Sequence, residues 1–313
     1  MDLLDNLNPQ QREAVTVPPG PALVLAGPGS GKTRVLTHRA AWIVKHLGAP
    51  PRSLLAVTFT NKAAREMQSR LETLLGGRGP GVLPAVGTFH AACARLLRRE
   101  ADRLPVTRDF VIFDESDQDS LMRQALKDLN LDPRQNPPGR LRAAISSAKN
   151  ELVSSADYPT GSFSADIIQR AYVRYDQLLR ENNALDFDDL LVWAVRLLRE
   201  HDEVRDGFRR QYEHLLVDEF QDTNTAQYDL LRLMAVPERP DLFVVGDPDQ
   251  SIYRWRGADY RNVQRFQKDF PDHRLILLEQ NYRSTQRILD AAMAVIDRHP
   301  DRQKKRLFTD RGQ

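Results

Sequence analysis

The segment AGPGSGKT, residues 26–33, most constrains how this chain can fold, because it joins a predicted strand to a predicted helix through three glycines. The apolar run Pro21–Leu25 is typical of a buried strand, and residues 33–40 are typical of a helix. Glycine permits backbone conformations in which successive N–H groups point at one anion, and the helix N-terminus favours the same charge. The pattern therefore predicts a phosphate-binding loop, with alanine at its usual first glycine. Its residues are Ala26, Gly27, Pro28, Gly29, Ser30, Gly31, Lys32, Thr33 and Arg34.

A second segment, LLVDEFQD at residues 215–222, ends an apolar run with the adjacent carboxylates Asp218 and Glu219. Ligands of open α/β sheets bind at the carboxyl ends of strands, which disfavours the alternative of an acidic pair on an ordinary surface. With Lys32 on the β- and γ-phosphates, Thr33 and Asp218 are candidate Mg²⁺ ligands. Glu219 is the candidate base for the attacking water. The two segments predict a site that binds ATP with Mg²⁺ and hydrolyses its terminal phosphate.

Six apolar runs, most of them separated by helix-like segments, end in polar, glycine- or threonine-containing loops. They are residues 23–26, 54–58, 85–88, 215–218, 242–246 and 275–278. This alternation predicts an α/β fold with a parallel sheet, helices on both faces and the site along one edge. Lys32 and Asp218 lie much further apart than such a core requires, so an insertion is expected. Residues 113–187 are polar, helical in pattern and without a series of strands, and they are the predicted insertion.

Composition limits the class of protein and its partners less strongly than the motifs do. The net charge is +2, so any surface that binds nucleic acid must be local. Cys93 is the only cysteine, which excludes a disulfide framework and a cysteine-cluster zinc site. The N-terminus lacks the pattern of a signal peptide, and no apolar stretch is long enough to span a bilayer. The expectation is a cytoplasmic protein without a membrane partner.

Two strand ends combine hydroxyl or amide groups with an aromatic ring, a mixture that suits single-stranded DNA. Core packing of the aromatic residue is the alternative at each end. His90 is a poor metal candidate, because no second His or Cys stands at ligand spacing. The candidate DNA contacts at these two ends are Phe59, Thr60, Asn61, Thr88 and His90.

The segment VVGDPDQSIYRWRGAD, residues 244–259, places a candidate phosphate sensor beside candidate base-stacking residues. Gln250 follows a predicted strand and can bond a γ-phosphate or the attacking water. Tyr253, Trp255 and Arg256 follow within six residues, and aromatic rings interleaved with arginine suit stacking and phosphate contact. This adjacency suggests a route that couples hydrolysis to movement on a strand. Packing of these side chains against a helix is the alternative for any one of them.

Asp186, Asp188 and Asp189 in ALDFDDLL invite interpretation as a second metal site. Aspartate also suits the first turn of a helix, where backbone N–H groups and the helix dipole favour negative charge. We therefore expect a helix start and hinge packing here rather than a metal.

The ordered set of motifs resembles the N-terminal part of the UvrD/Rep/PcrA-type superfamily 1 DNA helicases, from about Leu7 to Thr285. The matching stretches are LNPQQREAV, AGPGSGKT, VTFTNKAAREM, GTFHAACARLL, LLVDEFQDTN, VVGDPDQSIYRWRGAD and LEQNYRST.

The resemblance implies roles for individual residues. Gln11 matches a glutamine that recognises adenine, and Tyr282 a residue that stacks on the base. Gln250 matches the glutamine that senses the γ-phosphate, and Arg283 an arginine that contacts it. Catalysis would then depend on Lys32, Glu219, Gln250 and Arg283. The strand-contacting positions of the family match Phe59, His90, Tyr253, Trp255 and Arg256.

The resemblance also implies a domain plan: a RecA-like ATP-binding domain 1A (1–112 and 188–278), a helical subdomain 1B (113–187) and the start of a second RecA-like domain, 2A (279–313). The family moves 3′ to 5′ on single-stranded DNA and unwinds duplex during excision repair, mismatch repair and replication restart. Expected partners are single-stranded DNA, junctions of single- and double-stranded DNA, repair proteins or a second protomer, in the bacterial cytoplasm near the nucleoid.

Because domain 2A would be incomplete, we expect this chain to bind nucleotide weakly, to be weakly active or inactive as an ATP hydrolase alone, and not to unwind DNA alone. Two alternatives stay open. One is a nucleotide-dependent DNA-binding module, and the other is the motor part of a helicase–nuclease.

Overall fold

A computed structural model describes residues 3–77, 81–236, 240–253, 257–298 and 305–311. The chain forms two compact units, each built from segments that are separate in sequence. The first comprises Met1–Thr88, Asp206–Thr223 and Met234–Gln313, and the second comprises Phe89–Arg205 and Asn224–Leu233. The domain plan of the sequence analysis, with limits at residues 113, 188 and 279, stays a prediction.

The strands are β1 Ala22–Ala26, β2 Leu54–Thr58, β3 Ala85–Thr88, β4 Val111–Phe113, β5 Ala184–Asp186, β6 His214–Val217, β7 Asp241–Gly246 and β8 Arg274–Leu278. The α-helices of the described residues are α1 Pro9–Thr16, α2 Lys32–Lys45, α3 Asn61–Leu75, α4 Phe89–Arg99, α5 Glu115–Asp128, α6 Pro138–Asn150, α7 Phe163–Glu181, α8 Phe187–Glu200, α9 Asp202–Gln211, α10 Thr225–Met234, α11 Asn262–Asp269 and α12 Gln286–Ile296.

The first unit contains a six-stranded sheet in the order β3-β2-β6-β7-β1-β8, in which every neighbouring pair is parallel. Every residue of β1, β2 and β7 is buried, so both faces of these strands are covered, as is usual in parallel sheets. This explains why these three runs are apolar throughout most of their length rather than alternating. The α/β fold with a parallel sheet is confirmed, and all six predicted strands are present.

The strand order brings the informative loops to one edge. β7 pairs with β1 on one side and with β6 on the other. Parallel strands point the same way, so the loops that follow these three strands meet at their carboxyl ends. Those loops carry the glycine-rich segment, the acidic pair and Gln250.

The second unit is mainly helical, and its core lies between α5, α6 and α7, with Met122, Ile145 and Tyr175 buried there. Residues 115–181 therefore contain three helices, as the pattern predicted. The structure adds a two-stranded parallel sheet, in which β4 pairs with β5. The sequence analysis expected no strand series here. Strands of three residues are too short to show a period, and their pairing joins distant parts of the chain.

The aspartates of ALDFDDLL begin a helix, as expected. Asp189 N donates to Asp186 Oδ1 at 2.8 Å, and Asp186 N donates to Asp189 Oδ2 at 3.2 Å, which caps α8 reciprocally. The Lys149 ammonium lies 2.8 Å from Asp186 and 2.7 Å from Asp189, so a lysine supplies the cation. Among the described residues, no cluster of three or more His, Cys, Asp or Glu suits a metal ion.

Replacing Lys149 should destabilise the second unit strongly. Lys149 is 2% exposed, and its loss leaves two buried carboxylates without a cation. We expect Lys149→Ala to lower the free energy of unfolding by about 3–5 kcal/mol in urea titrations followed by circular dichroism. Lys127→Ala, at an exposed lysine of α5, should change it by less than about 0.5 kcal/mol. Equal unfolding midpoints for the two variants would refute this account of Lys149.

Candidate functional site

The glycine-rich segment forms a tight loop between β1 and α2. Gly29 has φ of 66° and Gly31 has φ of 89°, a region that disfavours side-chained residues. A Cβ on Gly29 would lie 2.7 Å from Arg283 Cβ, and one on Gly31 would lie 2.9 Å from Gln11 Nε2. Both glycines are thus required by backbone conformation and by close neighbours.

The acidic pair lies against this loop. Thr33 Oγ1 donates to Asp218 Oδ2 at 3.2 Å, and Lys32 Nζ lies 3.7 Å from Glu219 Oε2. Glu219 has φ of 51°, an uncommon conformation for a residue with a side chain. Such strain is found most often at functional sites, where surrounding contacts hold it in place. Two segments that are distant in sequence therefore form one cluster.

A cavity of about 390 Å³ opens between these segments. Its lining residues are Gly29, Ser30, Gly31, Lys32, Thr33, Arg34, Arg70, Glu219, Gln250 and Arg283. All except Arg70 were candidates from the sequence. Ala26 is a buried residue at the end of β1, and Gly27 and Pro28 precede the part of the loop that lines the cavity.

Arg70 escaped the sequence analysis because nothing distinguishes it from an ordinary helix-surface residue. It lies on α3, four residues after Glu66, and the two side chains form an ion pair 2.5 Å long. Pairs at this spacing are common on exposed helices. Only the position of α3 beside the loop brings Arg70 to the cavity.

A larger cavity, about 910 Å³, lies at the opposite edge of the sheet. Pro21, His214 and Asp241, which stand at the amino ends of their strands, help to line it. It contains none of the predicted phosphate, metal or catalytic residues. The chemistry of the side chains therefore favours the smaller cavity as the functional site, although the other cavity is larger.

Hydrogen bonds connect Gln250 to Glu219. Gln221 Nε2 donates to Glu219 Oε2 at 2.9 Å, and Gln221 Oε1 accepts from Asp247 N at 2.8 Å. Gln250 Nε2 in turn donates to Asp247 Oδ2. Gln221 and Asp247 lie in the quoted segments LLVDEFQD and VVGDPDQSIYRWRGAD, but neither residue was given a role from the sequence. Their roles depend on the contact between the ends of β6 and β7.

The two residues predicted to contact the adenine also lie beside the loop. Gln11 is buried, and its Nε2 donates to Ser30 O at 2.8 Å, which ties α1 to the loop. Tyr282 is 42% exposed, and its backbone N donates to Gly29 O at 2.9 Å. Their contact with adenine stays a prediction.

Asn281 is a further residue that the sequence analysis did not single out. It is buried, its Nδ2 donates to Pro28 O, and its Oδ1 accepts from Arg283 N at 2.8 Å and from Ser284 N at 2.7 Å. One side chain therefore fixes both the glycine-rich loop and the backbone of Arg283.

Four candidate DNA contacts of the first unit occupy two adjacent strand ends. Thr60 and Asn61 are exposed at the start of α3, where Thr60 Oγ1 accepts from Ala63 N at 3.1 Å. Phe59 beside them is half-buried, and Thr88 is buried at the end of β3. The parallel pairing of β2 and β3 brings these two ends together.

Four candidate DNA contacts remain. Tyr253 is 40% exposed in the first unit. His90 belongs to the second unit, where its ring meets Phe187 edge-to-face at 5.9 Å and burial lowers the pKa of its imidazole. Trp255 and Arg256 lie outside the described residues.

Burial perturbs the carboxylates of the site. It raises the pKa of Asp218 to about 6, and the charge of Glu219 adds to the shift, while Lys32 and Thr33 oppose it. Burial and Glu219 likewise raise the pKa of Asp222 to about 6. Carboxylate and hydroxyl oxygens are ligands that Mg²⁺ accepts, and a buried carboxylate gains from a cation. The pair Thr33 and Asp218 therefore fits a magnesium ion.

In the part of the chain that the structure describes, no helix is both long enough and apolar enough to cross a membrane.

Comparison with known proteins shows where these motifs recur. The family model of the UvrD/REP helicase N-terminal domain matches residues 7–271. The ATP-dependent DNA helicase PcrA of Bacillus subtilis (strain 168) is 47% identical over 311 residues, which cover 98% of this chain and 42% of the relative. PcrA of Staphylococcus aureus (strain Mu50) is 45% identical over 309 residues, with the same two shares. The chain thus spans less than half the length of these curated relatives.

Asp218→Asn should stabilise the folded chain in metal-free solution at neutral pH. Because the pKa of the buried carboxyl is raised, the folded state favours its protonated form. The stability that the protonated carboxyl contributes is complete below about pH 4, and it is lost as pH rises through about 6. Asparagine does not titrate, so thermal unfolding in EDTA should show a gain of up to about 3 kcal/mol at pH 7.5 that vanishes near pH 4.

The control is Asp272→Asn, at an exposed carboxylate of the same unit. This substitution should leave the thermal stability unchanged at both pH values. A gain for Asp218→Asn that is the same at pH 4 and pH 7.5 would contradict the burial argument.

Proposed function

The chain belongs to the UvrD/REP helicase family, and we propose that its residues form the nucleotide-binding part of an ATP-driven DNA motor. The proposal rests on the contact between two segments that are distant in sequence. Lys32 and Thr33 of the phosphate loop lie 3.7 Å from Glu219 and 3.2 Å from Asp218. Phosphoryl transfer to water requires a loop that binds phosphate and an acidic pair, and both lie at one edge of the sheet.

The chain's own residues supply the binding of ATP. Backbone N–H groups at the start of α2 bind the phosphates, and Lys32 and Arg283 offset the charge that develops on them. Gln11 and Tyr282 are assigned to the adenine. The positions of Arg34 and Arg70 on the cavity wall support a further contribution to phosphate or ribose binding.

Hydrolysis is assigned to Glu219, which orients the attacking water and accepts its proton. Gln250 contacts the γ-phosphate or the water and shares hydrogen bonds with Glu219 through Gln221 and Asp247. Thr33 and Asp218 would hold Mg²⁺, which when bound neutralises phosphate charge. This indirect hydrogen-bonded connection supports a site in which the base and the γ-phosphate sensor act together.

The proposed substrate track is single-stranded DNA. Phe59, Thr60, Asn61 and Thr88 would contact the strand at the ends of β2 and β3, and Tyr253 follows Gln250 by three residues. His90, Trp255 and Arg256 complete the proposed contacts. The short path from Gln250 to Tyr253 supports a coupling of hydrolysis to movement.

The wider role follows the names of the relatives, which are ATP-dependent DNA helicases. We assign to the motor that contains this chain 3′ to 5′ movement, action at junctions of single- and double-stranded DNA, and work in excision repair, mismatch repair and replication restart beside the nucleoid in the bacterial cytoplasm. Repair proteins or a second protomer are the proposed protein partners. The 1A, 1B and 2A domain plan is part of the same proposal.

Two substitutions separate binding from hydrolysis. Glu219→Gln should retain ATP binding and lower hydrolysis about 10²–10⁴-fold, because it removes a general base. Lys32→Ala should weaken binding of both ATP and ADP. Fluorescent-nucleotide titration measures binding, and phosphate release with and without single-stranded DNA measures hydrolysis.

Glu213→Gln and Lys268→Ala are the matched controls, because both residues are exposed and belong to the same unit. Hydrolysis that survives both Glu219→Gln and Lys32→Ala would place the active site elsewhere. DNA binding that depends on ATP without any hydrolysis would identify a binding module instead of a motor.

Tyr253→Ala should weaken the binding of single-stranded DNA. Stacking of one base on an aromatic ring contributes about 1–3 kcal/mol, so the dissociation constant should rise at least about fivefold. Fluorescence anisotropy with a labelled oligothymidine measures the change. Tyr260→Ala is the control, because Tyr260 is 38% exposed but was not a candidate contact. Equal effects of the two variants would count against a stacking role for Tyr253.

A further inference from the structure

A segment that follows α12 in the chain, residues 305–311, lies against the phosphate loop. We call it the strap. Phe308 N donates to Glu279 O at 3.2 Å, which holds the strap beside the end of β8. Leu307 packs on the loop so closely that a Cβ on Gly27 would overlap its side chain. The strap is therefore fixed at both of these points within the first unit.

The first described residue of the strap, Lys305, forms an ion pair with a fully buried carboxylate. Lys305 is 3% exposed and Asp247 is 0% exposed. Lys305 Nζ donates to Asp247 Oδ1 and lies 3.2 Å from Asp249 Oδ2. A buried carboxylate keeps its charge only where a cation and hydrogen bonds replace its hydration. Within the described ranges, Lys305 is the cation that pairs with Asp247.

The second oxygen of the same carboxylate holds Gln250. Gln250 Nε2 donates to Asp247 Oδ2, and Gln250 lines the phosphate cavity. The backbone of Asp247 is fixed as well, because its N donates to Gln221 Oε1 at 2.8 Å. Asp247 thus joins the strap to the side chain that is assigned to the γ-phosphate.

We infer that Lys305 is a positioning residue, which fixes Gln250 at the γ-phosphate by neutralising and holding Asp247. The inference rests on the proposed function, because it requires the cavity to take ATP. Without the ammonium, the buried carboxylate of Asp247 has no cation beside it and turns toward water, so Gln250 loses a fixed acceptor. Since ADP has no γ-phosphate, the loss should affect ATP and spare ADP.

The test compares ATPγS and ADP binding to the full 313-residue chain in Mg²⁺ by calorimetric titration. Lys305→Met should weaken ATPγS binding about tenfold and change ADP binding less than twofold. Gln250→Ala should show the same selective loss. The double variant should be no worse than Gln250→Ala, because both changes act through one contact. Lys305→Arg, which keeps the cation, should recover most of the ATPγS affinity.

The matched control is Lys268→Met, at an exposed lysine of α11, which should bind both nucleotides like the unmodified chain. If Lys305→Met is unfolded by circular dichroism, Asp247→Leu/Lys305→Met replaces the ion pair by an apolar pair of similar volume, a change that buried sites often tolerate. The apolar pair should also lose ATPγS affinity selectively, because Gln250 then has no acceptor.

The positioning role would be overturned if Lys305→Met lowered the affinities for ATPγS and ADP equally, or left their ratio unchanged. Additive effects of Lys305→Met and Gln250→Ala on ATPγS affinity would overturn it as well. These outcomes differ from a failure of the proposed function. In that case the unmodified chain itself would bind neither nucleotide.

Discussion

The site depends on the parallel direction of the six strands together with their order. Parallel pairing puts the carboxyl ends of all six strands at one edge, and the position of β7 between β1 and β6 brings three particular loops together there. Thr33 can then bond Asp218, and Asp247 can bond Gln221. An antiparallel partner at any of these positions would send its loop to the opposite edge and separate these groups.

In both units, a buried lysine pairs with buried carboxylates. In the second unit, Lys149 faces Asp186 and Asp189 as both cap α8. In the first unit, Lys305 faces Asp247. Each lysine is brought to its carboxylate by the fold and not by a neighbouring position in the chain. Such pairs contribute little net stability compared with apolar packing, but the loss of one partner costs several kcal/mol.

Asp218 differs from these carboxylates. Thr33 bonds it, while Lys32 lies nearest to Glu219, so its burial is reflected in a pKa raised to about 6. A carboxylate left in this condition favours a cation ligand, which is what the proposed magnesium site would provide. The folded chain thus bears the cost of a buried carboxylate that has no cation of its own, and this cost accompanies the capacity to bind one.

Much of this could be predicted from the sequence, and the omissions have a common cause. Apolar runs, glycines at positive φ and the Asp186 cap depend on short segments, so local patterns revealed them. The pairing of β4 with β5, the approach of Arg70 to the cavity and the clamp formed by Asn281 depend on contacts between distant segments. No local pattern carries such contacts, and each of these residues has an ordinary local explanation.

The sequence by itself determined the α/β class, the glycine-rich loop after β1, the acidic pair and membership of a helicase family, because these reside in contiguous motifs with their own backbone requirements. Only the tertiary structure decided which buried carboxylate receives which cation, and which side chains connect Glu219 to Gln250. The physical reason is that electrostatic compensation acts through space, and the spacing of charges in space is set by strand order and helix packing.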